Sequence, residues 1–200
     1  MILLELFRYK RRTDDGEHLE HDLPVVDELV FAARRDVDQI PDFDPNNGGV
    51  DARALFLLEA PGPKAVVTGF ISQDNPDPSA RNMTRLLAEA GFDRREVVLW
   101  NVVPWYVGDG RKIRPVRPSD IQQALPYLRA LLGLLTSLQV IVLVGRKAQA
   151  ARADIAKMTG VPLVDSFHTS NLVMNRSPTR YGEILESFRV ARRIAATAPR

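Results

Sequence analysis

The chain has 200 residues, a formal charge of +2, 45% hydrophobic and 26% charged residues, the balance of a globular domain that can bury one full core. It contains no cysteine, which excludes disulfides, thiolate zinc sites, a cysteine nucleophile and a cysteine-ligated iron–sulfur cluster. No run reaches the roughly 18 apolar residues of a membrane span. The start, MILLELFRYKRR, places apolar residues before charge, the reverse of a secretory signal. The expectation is a soluble, cytoplasmic monomer that does not associate with membranes, and its mild basicity permits a nucleic-acid partner without demanding one.

Residues 8–22 are dense in charge, and LPVVDELVFAARRDV (23–37) carries apolar residues at helical spacing, predicting a helix. PDFDPNNGG (41–49) is turn chemistry. It separates an N-terminal segment, 1–49, whose helix is expected to pack on the main domain, from that domain, 50–200. Strands and helices then alternate. ALFLLEAPG (54–62) is a buried strand stopped by Pro and Gly. DPSARNMTRLLAEAGF (77–92) is a helix with Asp77 as cap, Pro78 in its first turn and Gly91 at its end. EVVLWNVVPW (96–105) is a second strand. SDIQQALPYLRALLGLL (119–135) opens on Ser119 and Gln122 at capping-box spacing, and Pro126 is expected to kink or split it. QVIVLVG (139–145) is a third strand, RKAQAARADIAKMTG (146–160) one helix, PLVDSFH (162–168) a fourth strand and PTRYGEILESFRVARRIAA (178–196) the last helix.

Apolar strands without alternation, each followed by a helix, predict an α/β fold with three layers, α/β/α, around a central four-stranded parallel sheet. Ligands of such folds bind outside the carboxyl ends of the strands. EAPGPK (59–64), NVVPWY (101–106), GRK (145–147) and HTSN (168–171) lie there.

Asn101 offers an amide oxygen and an amide NH2 side by side, complementary to the N3–H and O4 edge of uracil and opposite to that of cytosine; it either reads such an edge or satisfies strand-end backbone. His168 either caps the following segment or donates to a carbonyl oxygen. A donor at the O2 of a departing base binds the developing charge more tightly than the neutral base and speeds departure. Glu59 either positions a water or pairs with an arginine. Phe70 is either core or a platform for a flat base. Leu172, predicted in a loop just past a strand end, has the character of a wedge between stacked bases. Arg176, Lys64, Arg146 and Lys147 lie on the same rim, as phosphate contacts or as a solvated face.

LLEAPGP (57–63), WNVVPW (100–105) and HTSNLVMNR (168–176), on the first, second and fourth predicted strand ends, resemble the motifs of the uracil-DNA glycosylase superfamily, and the resemblance extends over roughly residues 50 to 195. It implies a DNA glycosylase that flips out and hydrolytically excises uracil, and other deaminated bases if the pocket admits them, to initiate base excision repair. Its DNA is single- or double-stranded, and it needs no metal or organic cofactor. Ala60, Pro61 and Gly62 then belong to the water-binding loop that faces the base. Asn101 reads the uracil edge, Phe70 stacks on it, and His168 binds O2. Ser170, Asn171 and Leu172 meet the DNA, with the leucine entering the duplex.

Four departures from the family pattern stand out. The GEAPG-like first motif is typical of members with a four-cysteine cluster, and this chain has no cysteine. Ala60 stands where the most efficient members carry an Asp, which makes Glu59 the next carboxylate, ahead of Asp74 and Asp77. Gly62 stands where those members use a Tyr to exclude the thymine methyl. Thr169 replaces the usual Pro, which is expected to loosen the loop of His168. Two competing readings remain at this level: a non-catalytic binder of damaged or uracil-containing DNA on the same fold, motivated by Ala60, and an unrelated nucleotide-acting α/β enzyme. The absence of G-x-G-x-x-G and G-x-x-x-x-G-K-[ST] weighs against the second.

Overall fold

The structure is a computed structural model that describes residues 40–108 and 113–197, together with the backbone of 9–12 and 18–21. The helix predicted over 23–37 lies outside the described residues. Within the charged N-terminal stretch, β1 (Tyr9–Arg12) and β2 (His18–His21) pair antiparallel.

Two short strands follow the turn chemistry at 41–49. β3 (Asp42–Phe43) pairs in parallel with β5 (Phe70–Ile71), a two-residue ladder with no periodicity to announce it. The central sheet holds β4 (Ala54–Leu58), β6 (Val97–Asn101), β7 (Val140–Val144) and β8 (Leu163–Ser166), all parallel, in the order β6-β4-β7-β8. Residues 54–57, 97–101 and 140–144 are buried without interruption, which explains why these strands do not alternate. Phe43 stacks on Trp100 of the outer strand β6, with ring centroids 3.9 Å apart. β8, at the other edge, is only partly buried.

Seven α-helices occur among the described residues: α1 (Pro63–Thr68), α2 (Pro78–Ala90), α3 (Pro118–Leu134), α4 (Arg146–Ala150), α5 (Arg152–Met158), α6 (Asn171–Met174) and α7 (Arg180–Thr197). α7 crosses β8, β7 and β4 and packs on α2, α4 lies on β7 and β4, and α3 packs on α5. The result is the predicted parallel four-stranded sheet flanked by helices. None of the described helices is long and apolar enough to cross a membrane.

α2 matches its sequence signals closely. Asp77 accepts from the N–H groups of Ser79 and Ala80 at 2.8 and 3.0 Å, Pro78 is its first residue, and Gly91 closes it at φ 83°. Two expectations are corrected and a third is narrowed. α3 is not capped by Ser119: it starts two residues earlier, because Pro118 suits the first helical position and Asp120 accepts from the N–H of the N-cap residue Arg117 at 2.7 Å. Pro126 does not split that helix, since buried Ile121, Ala124, Leu128 and Leu131 pin both sides of it to the core. The single helix expected over 146–160 is two, α4 and α5, parted at buried Ala151. Beyond that residue Arg152 reaches to Asp165 and the Leu163 carbonyl on β8.

Candidate active site

The parallel sheet brings the motif residues to one edge, the carboxyl ends of its strands. Asn101 is the last residue of β6, opposite Leu58 of β4. It is 4% exposed, and no protein group accepts from its Nδ2. An unmet buried amide donor costs roughly 1–3 kcal/mol, so native folds retain few of them without a use.

Glu59 follows β4 directly. Its backbone carbonyl accepts from the N–H of Val103, two residues past Asn101, at 3.1 Å. Its half-buried carboxylate accepts from the Val116 N–H at 3.4 Å, a long bond that leaves capacity for another donor. Glu59 also lies close enough to His168 for its charge to favour the imidazolium. It therefore stands between the Asn101 side of the site and the His168 side. Ala60 is half-buried and Pro61 buried. Gly62 has φ −82°, and nothing lies within 4 Å of where a Cβ would sit, so the backbone here does not require glycine. The space beside Gly62 is open.

His168 follows β8. Its Nδ1 accepts from the Ser170 N–H at 3.0 Å. In a neutral imidazole the proton is then on Nε2, which makes that nitrogen a donor. Burial pushes the imidazole below its ordinary value of 6.5, against the opposing pull of Glu59 and Asp77. The ring is therefore neutral at physiological pH. Gly145, at φ 91°, abuts it: a Cβ at that position would stand 3.2 Å from the His168 Cβ and 3.4 Å from its Cδ2.

The direction of this shift sets a pH dependence. Between the lowered folded value and the unfolded value near 6.5 the unfolded chain binds the extra proton, so stability rises with pH in that window. His168 thus contributes stability that is complete above about pH 6.5 and is lost as pH falls through the folded value. Protonation also turns Nδ1 from acceptor into donor and breaks its bond with Ser170. Unfolding curves between pH 5 and pH 8 are expected to show an acid-side loss that is reduced in His168→Gln; an identical loss in that variant refutes the assignment.

Phe70 is 39% exposed on β5, and its carbonyl accepts from the Asn75 side chain at 2.9 Å. Asn75 is buried and in turn accepts from Thr68 at 2.7 Å. The backbone of Phe70 is fixed while its ring keeps a free surface. Leu172 is 74% exposed, but on the one-turn helix α6 rather than in a loop, with Ser170 as N-cap and Asn171 as first residue. Lys64, Arg146 and Arg176 are exposed. Lys147 departs from the expected phosphate rim: it is half-buried, and its ammonium donates to the Val116 carbonyl. Among the described residues no group of three His, Cys, Asp or Glu side chains is arranged to hold a metal ion.

Three further residues shape the site and carried no sequence signal for this role. Gly145 abuts the imidazole as described. Thr169 is fully buried and donates through Oγ1 to the Ser79 carbonyl at 3.2 Å. Asn82 of α2 donates to the Thr169 carbonyl and to the Asn171 side chain. The residue expected to loosen the loop instead ties it to a helix.

The model of the Uracil DNA glycosylase superfamily matches residues 45–189. No curated protein matches the sequence. Among solved structures, the fold is similar to the solution NMR structure of a protein assigned as a uracil DNA glycosylase from Methanosarcina acetivorans, with TM-score 0.50 and 17% identity over 76% of this chain and 99% of that chain. It also matches the crystal structure of a mutant UNG from Nitratifractor salsuginis, with TM-score 0.40 and 15% identity over 70% of this chain and 74% of that chain. The first likeness shows the fold that the two chains share.

Proposed function

Because this chain belongs to the uracil DNA glycosylase superfamily, we propose that it flips uracil out of DNA and hydrolyses the N-glycosidic bond, the first step of base excision repair. The observation that carries this reading is the buried, unpartnered Nδ2 of Asn101 on the same sheet edge as an imidazole held with Nε2–H as its donor. An extruded uracil supplies what the first lacks, an acceptor at O4, and takes up the second at O2. Membership of the family sets aside the unrelated nucleotide-acting enzyme.

In this mechanism Phe70 stacks on the flipped base, and Leu172 holds the gap left in the duplex. The C1′–N1 bond breaks, its electron pair moves into the uracil ring, and the sugar passes through an oxocarbenium-like state. His168 remains neutral and donates from Nε2 to the charge growing on O2. Water adds to C1′, with Glu59 as the carboxylate that orients it and receives its proton. The departing uracil anion takes a proton from solvent. Lys64, Arg146 and Arg176 meet phosphates.

The test incubates enzyme in excess with uracil-containing single- and double-stranded oligonucleotides and cleaves abasic sites with alkali. Strand scission above buffer is expected; none overturns the reading. Ala60 favours a second reading, a binder without chemistry, which predicts gel shifts on uracil DNA with no free base detected by chromatography. Leu172→Ala is expected to slow excision from duplex about tenfold more than from single strands, because only a duplex must be held open at a cost of about a few kcal/mol. Equal losses on both substrates remove the wedge role.

A further inference from the structure

The segment that carries both His168 and Leu172 is fastened by three hydrogen bonds to the first turns of α2. Asn82 spends one amide N–H on the Thr169 carbonyl at 2.7 Å and the other on the Asn171 Oδ1 at 2.9 Å. Thr169 Oγ1 donates to the Ser79 carbonyl at 3.2 Å, and this side chain is fully buried. The helix behind these bonds is firm: Asp77 caps it, and Met83, Leu86 and Leu87 sit in the core. The segment's own support is slighter: α6 is a single turn with no buried residue, and Met174 packs only partly against the core. What it does have is the Ser170 N–H, which selects the tautomer of His168. Thr169 lies between the imidazole and the amide that holds it, and Asn171 lies between that amide and Leu172.

We propose that Asn82 and Thr169 are positioning residues: their bonds hold the segment 168–172 on α2, so that the Ser170 amide keeps the imidazole with Nε2–H outward and Leu172 stands at a fixed distance from it. Without those bonds the segment is free to shift, the Ser170–His168 bond opens, and the ring samples both tautomers. Asn82→Asp removes both donors at nearly constant shape and sets a carboxylate against the Thr169 carbonyl, while the exposed Asn171 amide can turn its own N–H toward it. Thr169→Val removes only the hydroxyl bond, and Thr169→Ser preserves it.

The test has two readouts on the full chain. The first is the tautomer of His168, read from the nitrogen shifts of its ring by NMR, with His168→Gln assigning the signal among the three histidines. The second is single-turnover excision of uracil from duplex DNA, and this arm alone rests on the glycosylase reading. Asn82→Asp and Thr169→Val are expected to move the ring to a mixture of tautomers and to slow excision, about tenfold for Asn82→Asp, as a carboxylate left facing the Thr169 carbonyl implies; Thr169→Ser is expected to match the wild type. Folded variants with the wild-type tautomer overturn the proposal, whether or not the rate falls, and so does a changed tautomer with an unchanged rate. If Asn82→Asp does not fold, the Val and Ser variants at 169 decide between the same outcomes. If the wild type excises nothing, the glycosylase reading fails and the tautomer readout still decides this one.

Discussion

His168→Ala is expected to slow uracil release a few hundredfold at saturating enzyme while DNA affinity stays within about threefold. The asymmetry follows from where the charge is. In the bound, intact nucleotide O2 is a neutral carbonyl and gains little from one more donor. As the glycosidic bond breaks, O2 takes up negative charge, and a donor already in place stabilises that state without reorganising. The Ser170 amide and the burial of the ring prepare it for this task by placing the proton on Nε2 and keeping the ring neutral. A single-turnover rate and an equilibrium Kd measured on the same duplex check both halves. A parallel loss of rate and affinity would assign the histidine to binding, and no loss of rate would remove it from the chemistry.

Asn101→Leu is expected to act in opposite directions on stability and on function. The amide donor it removes is buried and has no acceptor among the protein's own groups. An apolar side chain of similar volume relieves a penalty of about 1–3 kcal/mol, which corresponds to a rise in Tm of at least about 2 °C for a domain of this size. Uracil then meets a site with no partner for its edge, and excision is expected to fall about hundredfold or more, as sites built for a hydrogen bond lose when it is missing. Thermal unfolding and single-turnover rates measure the two effects. A variant that is both less stable and equally active would mean that Asn101 serves the fold rather than the base.

The readable parts of this chain are those governed by local rules. Uninterrupted apolar runs mark the inner strands because both faces of the sheet are covered, and α2 could be bounded to the residue because Asp77, Pro78 and Gly91 each act within one turn. Asn101 stood out because it ends a fully buried run, and His168 because it follows the short apolar run VPLV. The strand order does not follow from the sequence, although it puts β6, which carries Asn101, at one edge and β8, which leads to His168, at the other. The β3–β5 ladder spans two residues per strand, too few for a period. The part of the site least visible in advance depends on bonds between distant residues. Asn82 lies on an amphipathic helix like any other polar residue there, and only the folded chain sets it against Thr169 and Asn171. Lys147 read as one more rim cation because its carbonyl partner, Val116, comes from another loop.

Gly145 limits how far this protein can be toughened by trading flexible residues for stiffer ones. At Gly133, inside α3, a methyl group would meet nothing within 4 Å, and alanine is the usual improvement at such a place in a helix. At Gly145 the same methyl would force an unfavourable backbone and crowd the imidazole at once. Heat-selected libraries should therefore accept alanine at 133 and return glycine at 145, and the alanine variant at 145 should record, in its rate, how little displacement of the ring the reaction tolerates.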